Sequence, residues 1–274
     1  SLLVVYMLLL YSTTMMVLGL TPSNVNVGLE DMGSYSQYAE PSPATSGGYV
    51  QYSKLVEEPT KDKQGLMTKP KAIVGCEESQ KVCSALIRNG WDAISVDLLP
   101  TSGNYPDKHY QGDVFDLLKN NTYQLGIFFP PCIHVCGSGS RWHEAKRKSG
   151  VQQESIKFIE ALWAADIPHK AIENPVGVLP RLSNLGKASQ IVQPYWFVES
   201  DEDAYQKRTC LWLKGLPNLV PTNKIDIETV PHKQRHKIHL AAPRKDRSLI
   251  RSKTPSGMAN AMADQWTNAL QHLF

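Results

Sequence analysis

Two short motifs carry residue types that do covalent and acid–base chemistry. Phe129-Pro130-Pro131-Cys132 ends an apolar run with a thiol, and Glu173-Asn174-Pro175 follows another with a carboxyl and an amide. A thiolate is a soft nucleophile suited to an electron-poor carbon. Proline fixes φ and restricts the residue before it, so Pro130 and Pro131 form a stiff turn that holds Cys132 in place. A buried structural role is the commoner fate of a cysteine, and Cys132 gains its interest from Glu173. A carboxyl held near a nucleophile can hydrogen-bond or protonate a heteroaromatic ring nitrogen. Asp97 ends a further apolar run about 20 residues beyond the first turn, where an acidic residue accepts from ribose hydroxyls. Asp113 could accept from an adenine amino group at the next strand end; a turn aspartate is the equal alternative.

Those residues need elements to position them, and the pattern becomes regular from Lys71. Ala72-Ile73-Val74 reads as a buried strand ending at Gly75. Val82, Leu86 and Ile87 give Ser79–Asn89 one apolar helical face, and Gly90 stops it. Ala93–Val96, Leu125–Phe129, Lys170–Ile172 and Thr209–Leu213 read as further strands. Gln153–Ala165 and Ser256–Leu270 carry helical periodicity. Strands alternating with helices predict an α/β fold with a mostly parallel sheet covered on both faces. In such sheets ligands sit at the carboxyl ends of the strands. Gly75-Cys76-Glu77, Asp97, Pro131-Cys132 and Glu173-Asn174 all fall at those ends. There is no G-x-G-x-x-G, so a dinucleotide fingerprint is not supported.

The order of these motifs resembles the C5-cytosine DNA methyltransferase family. Pro130-Pro131-Cys132 is similar to its nucleophile motif and Glu173-Asn174 to its Glu-Asn motif. Lys207-Arg208-Thr209-Cys210-Leu211-Trp212-Leu213 is similar to its Arg strand, and Arg251–Gln265 to its closing helix. Residues 71–270 also look like small methyltransferase-like proteins of phages and prophages. Those share the Cys-Glu-x-Ser start, Asp-Leu-Leu-Pro, Gly-Asp-Val, Pro-Pro-Cys and Leu-Trp-Leu-Lys-Gly-Leu-Pro. The resemblance implies a Rossmann-like fold that binds S-adenosylmethionine, with Gly75, Glu77, Ser79, Asp97, Asp113 and Pro130 around the cofactor. It implies Cys132, Glu173, Asn174 and Arg208 as catalytic residues: Cys132 adds to C6, Glu173 bonds N3, and Arg208 supports the base carbonyl. The implied partner is DNA with its cytosine flipped out.

Two departures matter. The family's Phe-x-Gly-x-Gly is replaced here by Val74-Gly75-Cys76-Glu77-Glu78-Ser79, which makes Glu77 and Ser79 the expected polar contacts. The sizeable target-recognition domain is replaced by Lys214–Ile250 alone. That insert is rich in Pro, Lys, Arg and His, and Arg235, Lys237, Arg244 and Lys245, together with Arg141 in the loop after Cys132, are expected to grip phosphates. Low site specificity, or a partner that supplies it, follows from so short an insert. The loop Ser138–Trp142 reads as an active-site lid. The same chemistry on RNA or a free nucleotide, and a non-catalytic nucleic-acid-binding relative, remain as alternatives.

The net charge of +3 averages two unlike parts. Residues 1–66 hold three Lys against six acidic residues, leaving 26 basic and 20 acidic residues in 67–274. A basic surplus suits an anionic partner. Residues 1–20 carry no charge, yet Ser12, Thr13 and Thr14 interrupt them and no Lys or Arg flanks them, so membrane contact is left open. Residues 21–66 are rich in Ser, Gly, Pro, Tyr and Asn and read as linker. Met67 is a possible alternative start, with 67–274 as the catalytic domain. Five cysteines fit a reducing compartment better than a disulfide scaffold, and a cytoplasmic location is expected. Cys132-x-His134-x-Cys136 and His232, His236 and His239 lack a second pair at zinc spacing, so no metal is expected.

Overall fold

The computed structural model describes residues 68–241 and 251–274. The apolar segment 1–20, the linker 21–66 and Met67 lie outside the described residues. The strands are β1 (Lys71–Gly75), β2 (Asp92–Asp97), β3 (His109–Gln111), β4 (Leu125–Phe128), β5 (His169–Pro175), β6 (Gln190–Val192) and β7 (Thr209–Lys214). The helices are α1 (Lys81–Arg88), α2 (Val114–Asn120), α3 (His143–Lys148), α4 (Val151–Ala164), α5 (Leu179–Leu182), α6 (His232–Arg235), α7 (Lys237–Leu240) and α8 (Ser256–Ala269).

All seven strands join one sheet in the order β3-β2-β1-β4-β5-β7-β6. The pairs among β3, β2, β1, β4 and β5 are parallel, and β7 runs antiparallel to both β5 and β6. The first five strands follow the doubly wound order, whose switch point lies between β1 and β4. A mostly parallel α/β sheet is therefore present as expected.

Side chains alternate across a strand, and the core divides accordingly. Ala72 and Val74 of β1, Leu125 and Ile127 of β4, Ala171 of β5 and Leu211 of β7 face α1 and α8. Ile73, Phe128, Ile172 and Trp212 face the other way, onto Ile156, Ile159 and Leu162 of α4. Helices thus cover both faces. Three tryptophans are almost wholly buried, and each indole N–H has an acceptor. Trp91 donates to Thr267 Oγ1 at 2.8 Å, Trp212 to the Gly186 carbonyl at 2.9 Å and Trp266 to the Pro217 carbonyl at 3.0 Å. Satisfied in this way, each ring keeps its apolar gain, with truncation to Ala costing about 3–5 kcal/mol.

The closing helix α8 is placed by its second residue. A Cβ on Gly257 would lie 1.6 Å from the Phe197 carbonyl oxygen, so only glycine allows this approach. Two polar contacts then fix α8 along α1: Arg88 Nη2 to Asn260 Oδ1 and Asn89 Nδ2 to Asp264 Oδ1, both at 2.8 Å. Among the described residues no helix is long and apolar enough to cross a membrane.

Candidate active site

Strand register builds the site. Phe128 of β4 pairs with Ile172 of β5, so Phe129-Pro130 runs level with Glu173-Asn174. The antiparallel β7 starts beside the end of β5, with Thr209 opposite Pro175. Cys132, Glu173, Asn174 and the residues entering β7 therefore share one rim of the sheet.

Asn174 is fully buried and ties the two motifs together. Its Nδ2 donates to the Pro130 carbonyl at 2.9 Å. Backbone contacts continue the stitching. Gly137 N–H donates to the Val176 carbonyl at 2.8 Å, and Val178 N–H donates to the Val135 carbonyl at 2.9 Å. The loops after β4 and β5 thus move as one piece. Two buried acceptors at this rim have no hydrogen-bond partner, Glu173 Oε1 and Asn174 Oδ1. Buried acceptors without partners are rare in folded proteins, and a catalytic role, a bound group or a water is the usual reason for one.

Glu173 is buried, and burial pushes its carboxyl above the usual range, opposed by the Lys207 charge and a Thr209 hydrogen bond. Lys207 Nζ lies 3.9 Å from Glu173 Oε1, and both side chains are largely covered. The cation beside Glu173 is therefore Lys207. Arg208, which the resemblance casts as support for the base carbonyl, is exposed at the same rim. The sequence signal for Lys207 was a second cation just before the strand, but only the antiparallel register says which of the two turns inward.

Cys132 is partly buried and opens a helical turn, its carbonyl accepting from Val135 N–H at 3.0 Å and Cys136 N–H at 2.9 Å. That turn brings the Cys132 and Cys136 side chains into a hydrogen bond. Cys136 Sγ also lies 3.2 Å from Ser138 Oγ. The hydrogen bond from Cys132, opposed by burial and helped by Ser138, the Gly139 N–H and the charge of Lys146, lowers the Cys136 thiol to about 5. Cys132 is pushed up, first by that same bond and then by burial and the nearby negative charges. The two thiols are thus driven apart in acidity, Cys136 downward and Cys132 upward. Cys136 is therefore a candidate base for a Cys132 proton, a role the spacing hinted at only as a metal pattern. Among the described residues no cluster of three or more His, Cys, Asp or Glu is arranged to hold a metal ion.

The β1–β2 end of the rim is acidic. Cys76 adopts a left-handed φ of 59° directly after β1. Burial pushes its thiol up, and so do the charges of Asp97 and Asp113, which places all three in one neighbourhood. Asp97 Oδ1 accepts from Leu99 N–H at 2.9 Å, and burial raises its carboxyl. Asp113 caps α2, its Oδ1 accepting from Phe115 N–H at 3.0 Å. Gly75 is packed against Phe128, whose ring would lie 2.5 Å from an added Cβ.

Glu77 has a different place from the one its position in the sequence suggests. It is 3% exposed, and its two oxygens accept from Val82 N–H at 2.7 Å and Cys83 N–H at 3.1 Å. Gln80, the N-cap residue of α1, supplies no capping side chain, so Glu77 does that work. The Gln80 amide instead donates to Ser95 Oγ at 3.0 Å and to the Tyr105 carbonyl at 2.8 Å, locking the loop after β2. Ser79 lines a polar cavity of about 270 Å³ with Ser102, Lys253 and Ser256.

The expected phosphate-gripping cations separate into groups. Arg235 pairs with Glu228, and Lys237 donates to the Glu202 carbonyl while lying 4.5 Å from the Tyr205 ring centroid. Both are thus engaged inside the fold, because α6 and α7 pack back onto the segment before β7. Arg141 is exposed. Arg244 and Lys245 lie outside the described residues. The chain matches no protein-family model and no curated protein.

Proposed function

We propose that the protein is an S-adenosylmethionine-dependent methyltransferase acting at C5 of cytosine in DNA. One observation carries the reading. A thiol and a buried carboxyl stand on neighbouring parallel strand ends, with two unpartnered acceptors, Glu173 Oε1 and Asn174 Oδ1, beside them. Cytosine presents a ring nitrogen and an amino group, and a carboxyl with a raised pKa can hold the proton shared with that ring nitrogen. Cys132 gives its proton to Cys136, and its sulfur bonds to C6 of the base. Glu173 keeps a proton at N3, so the electron pair pushed into the ring is neutralised there and C5 becomes nucleophilic. C5 later loses its proton to water; that C–H electron pair re-forms the C5–C6 double bond, the C6–S bond breaks, and Cys132 leaves as thiolate and recovers its proton from Cys136. Lys207 limits how far Glu173 drifts toward permanent protonation.

The acidic neighbourhood of Asp97 and Asp113 suits a cofactor that presents hydroxyls, an amino group and a cationic sulfur. S-adenosylmethionine would supply an electrophilic methyl group there. Asp97 would hold the ribose hydroxyls and Asp113 the adenine amino group, while Glu77 braces the turn from behind through α1.

The test uses the full chain with methyl-labelled S-adenosylmethionine and cytosine-containing DNA, beside Cys132→Ala. Label is expected in the DNA with the natural chain only. An oligonucleotide carrying 5-fluorocytosine is expected to trap a covalent adduct through Cys132. Label transfer that survives Cys132→Ala would overturn the assignment.

A further inference from the structure

The loop after Cys132 carries exposed positive charge beside the proposed nucleophile. Arg141, Lys146, Arg147 and Lys148 stand there against one acid, Glu144. Glu144 is already paired with Lys148 at 2.9 Å, and Arg141 and Arg147 have no carboxylate partner among the described residues. The same loop exposes two large apolar side chains, Ile133 at 42% and Trp142 at 48%. The Arg141 guanidinium lies 5.4 Å from the Trp142 ring centroid. Lys146 Nζ donates to the Ile133 carbonyl at 2.6 Å, which folds α3 back onto the residue next to Cys132. An exposed indole with a guanidinium on it, flanked by further cations of which Arg147 has no carboxylate partner among the described residues, is the combination that binds unpaired bases: the ring stacks and the cations take phosphates.

We propose that Gly137–Lys148 is a platform for single-stranded DNA. In this arrangement Trp142 stacks on a base neighbouring the one that reaches Cys132. This inference rests on the reading of Cys132 and Glu173 as a site for a nucleic-acid base, and it names the form of the substrate. Extracting a base from a duplex costs a few kcal/mol, a cost that a single strand largely avoids. Duplex readers place a helix or ribbon in a groove. Between β7 and α8, helices α6 and α7 are four residues each.

The experiment measures anisotropy of a labelled, cytosine-containing oligonucleotide, single-stranded or annealed, with the full chain and no cofactor. The single strand is expected to bind more tightly. Trp142→Ala is expected to weaken that binding about 5- to 150-fold, and Trp142→Phe to restore much of it. Arg147→Gln is expected to lower the salt slope by about 0.7. Tighter binding of the duplex, no single-strand binding, or wild-type binding by Trp142→Ala would each overturn the platform. A 5-fluorocytosine adduct on duplex only would sink the platform and leave the chemistry standing. Trp142-dependent single-strand binding without any adduct would do the reverse.

Discussion

Replacing Glu77 by Gln separates a helix brace from a cofactor contact. Burial, the largest influence on this carboxyl, pushes it from the usual 4.5 up to about 7, against the two N–H groups of α1 that favour its charge. Below pH 4.5 both folded and unfolded chains hold the proton, and stability carries no penalty from Glu77. As pH rises from 4.5 through 7 the unfolded chain releases the proton first, so this contribution to stability is lost and stays lost above pH 7. At 1.36 kcal/mol per pH unit the loss comes to about 3 kcal/mol, and the group is too buried for solvent to screen it away. Gln cannot ionise. It also has one acceptor oxygen for two N–H groups, which costs about 1–3 kcal/mol at every pH. Glu77→Gln is therefore expected to be the weaker protein at pH 5 and to draw level or better at pH 8. Urea unfolding of both proteins across this range, followed by tryptophan fluorescence, checks it. A stability difference that stays constant from pH 5 to pH 8 would refute the reasoning.

Gly177→Ala would place a Cβ 2.0 Å from the Val135 carbonyl oxygen and 2.8 Å from Cys136 Cα, both backbone atoms. The loops after β4 and β5 must then part, and a loss of about 1–3 kcal/mol in thermal unfolding is expected, with slower adduct formation at Cys132. Cys132→Ala removes the hydrogen bond that does most to lower the Cys136 thiol. Iodoacetamide labelling of Cys136, followed by mass spectrometry against pH, is expected to move its midpoint upward from about 5; an unmoved midpoint would mean the two thiols ionise independently.

Much of the scaffold was legible because buried parallel strands are near-continuous apolar runs. Ala72–Val74, Ala93–Val96 and Leu125–Phe129 announced β1, β2 and β4 in that way, and the periodicity of Ser256–Leu270 announced α8. Strand β6 was not legible, and β3 only as an end before Asp113. Each is three residues long, and β3 in particular is polar, so only pairing with β2 and β7 defines them. Helix α2 was hidden for a related reason. Its cap, Asp113, is also a residue type that binds ligands, and a sequence does not say which hydrogen bond a carboxylate makes.

The amino-acid sequence by itself determined which chemistry is available at the strand ends: a thiol after two prolines, a carboxyl before Asn-Pro, an acid after the second strand. Local rules suffice for that, because strand type and turn stiffness depend on near neighbours. Tertiary structure alone decided which groups meet. Lys207 rather than Arg208 faces Glu173, Cys136 acts on the Cys132 thiol, Glu77 braces α1, and Arg235 and Lys237 turn inward. The Lys207 and Lys237 outcomes depend on register between segments far apart in the chain, the Cys136, Glu77 and Arg235 outcomes on how one turn packs, and in all of them burial is what moves a proton or spends a charge.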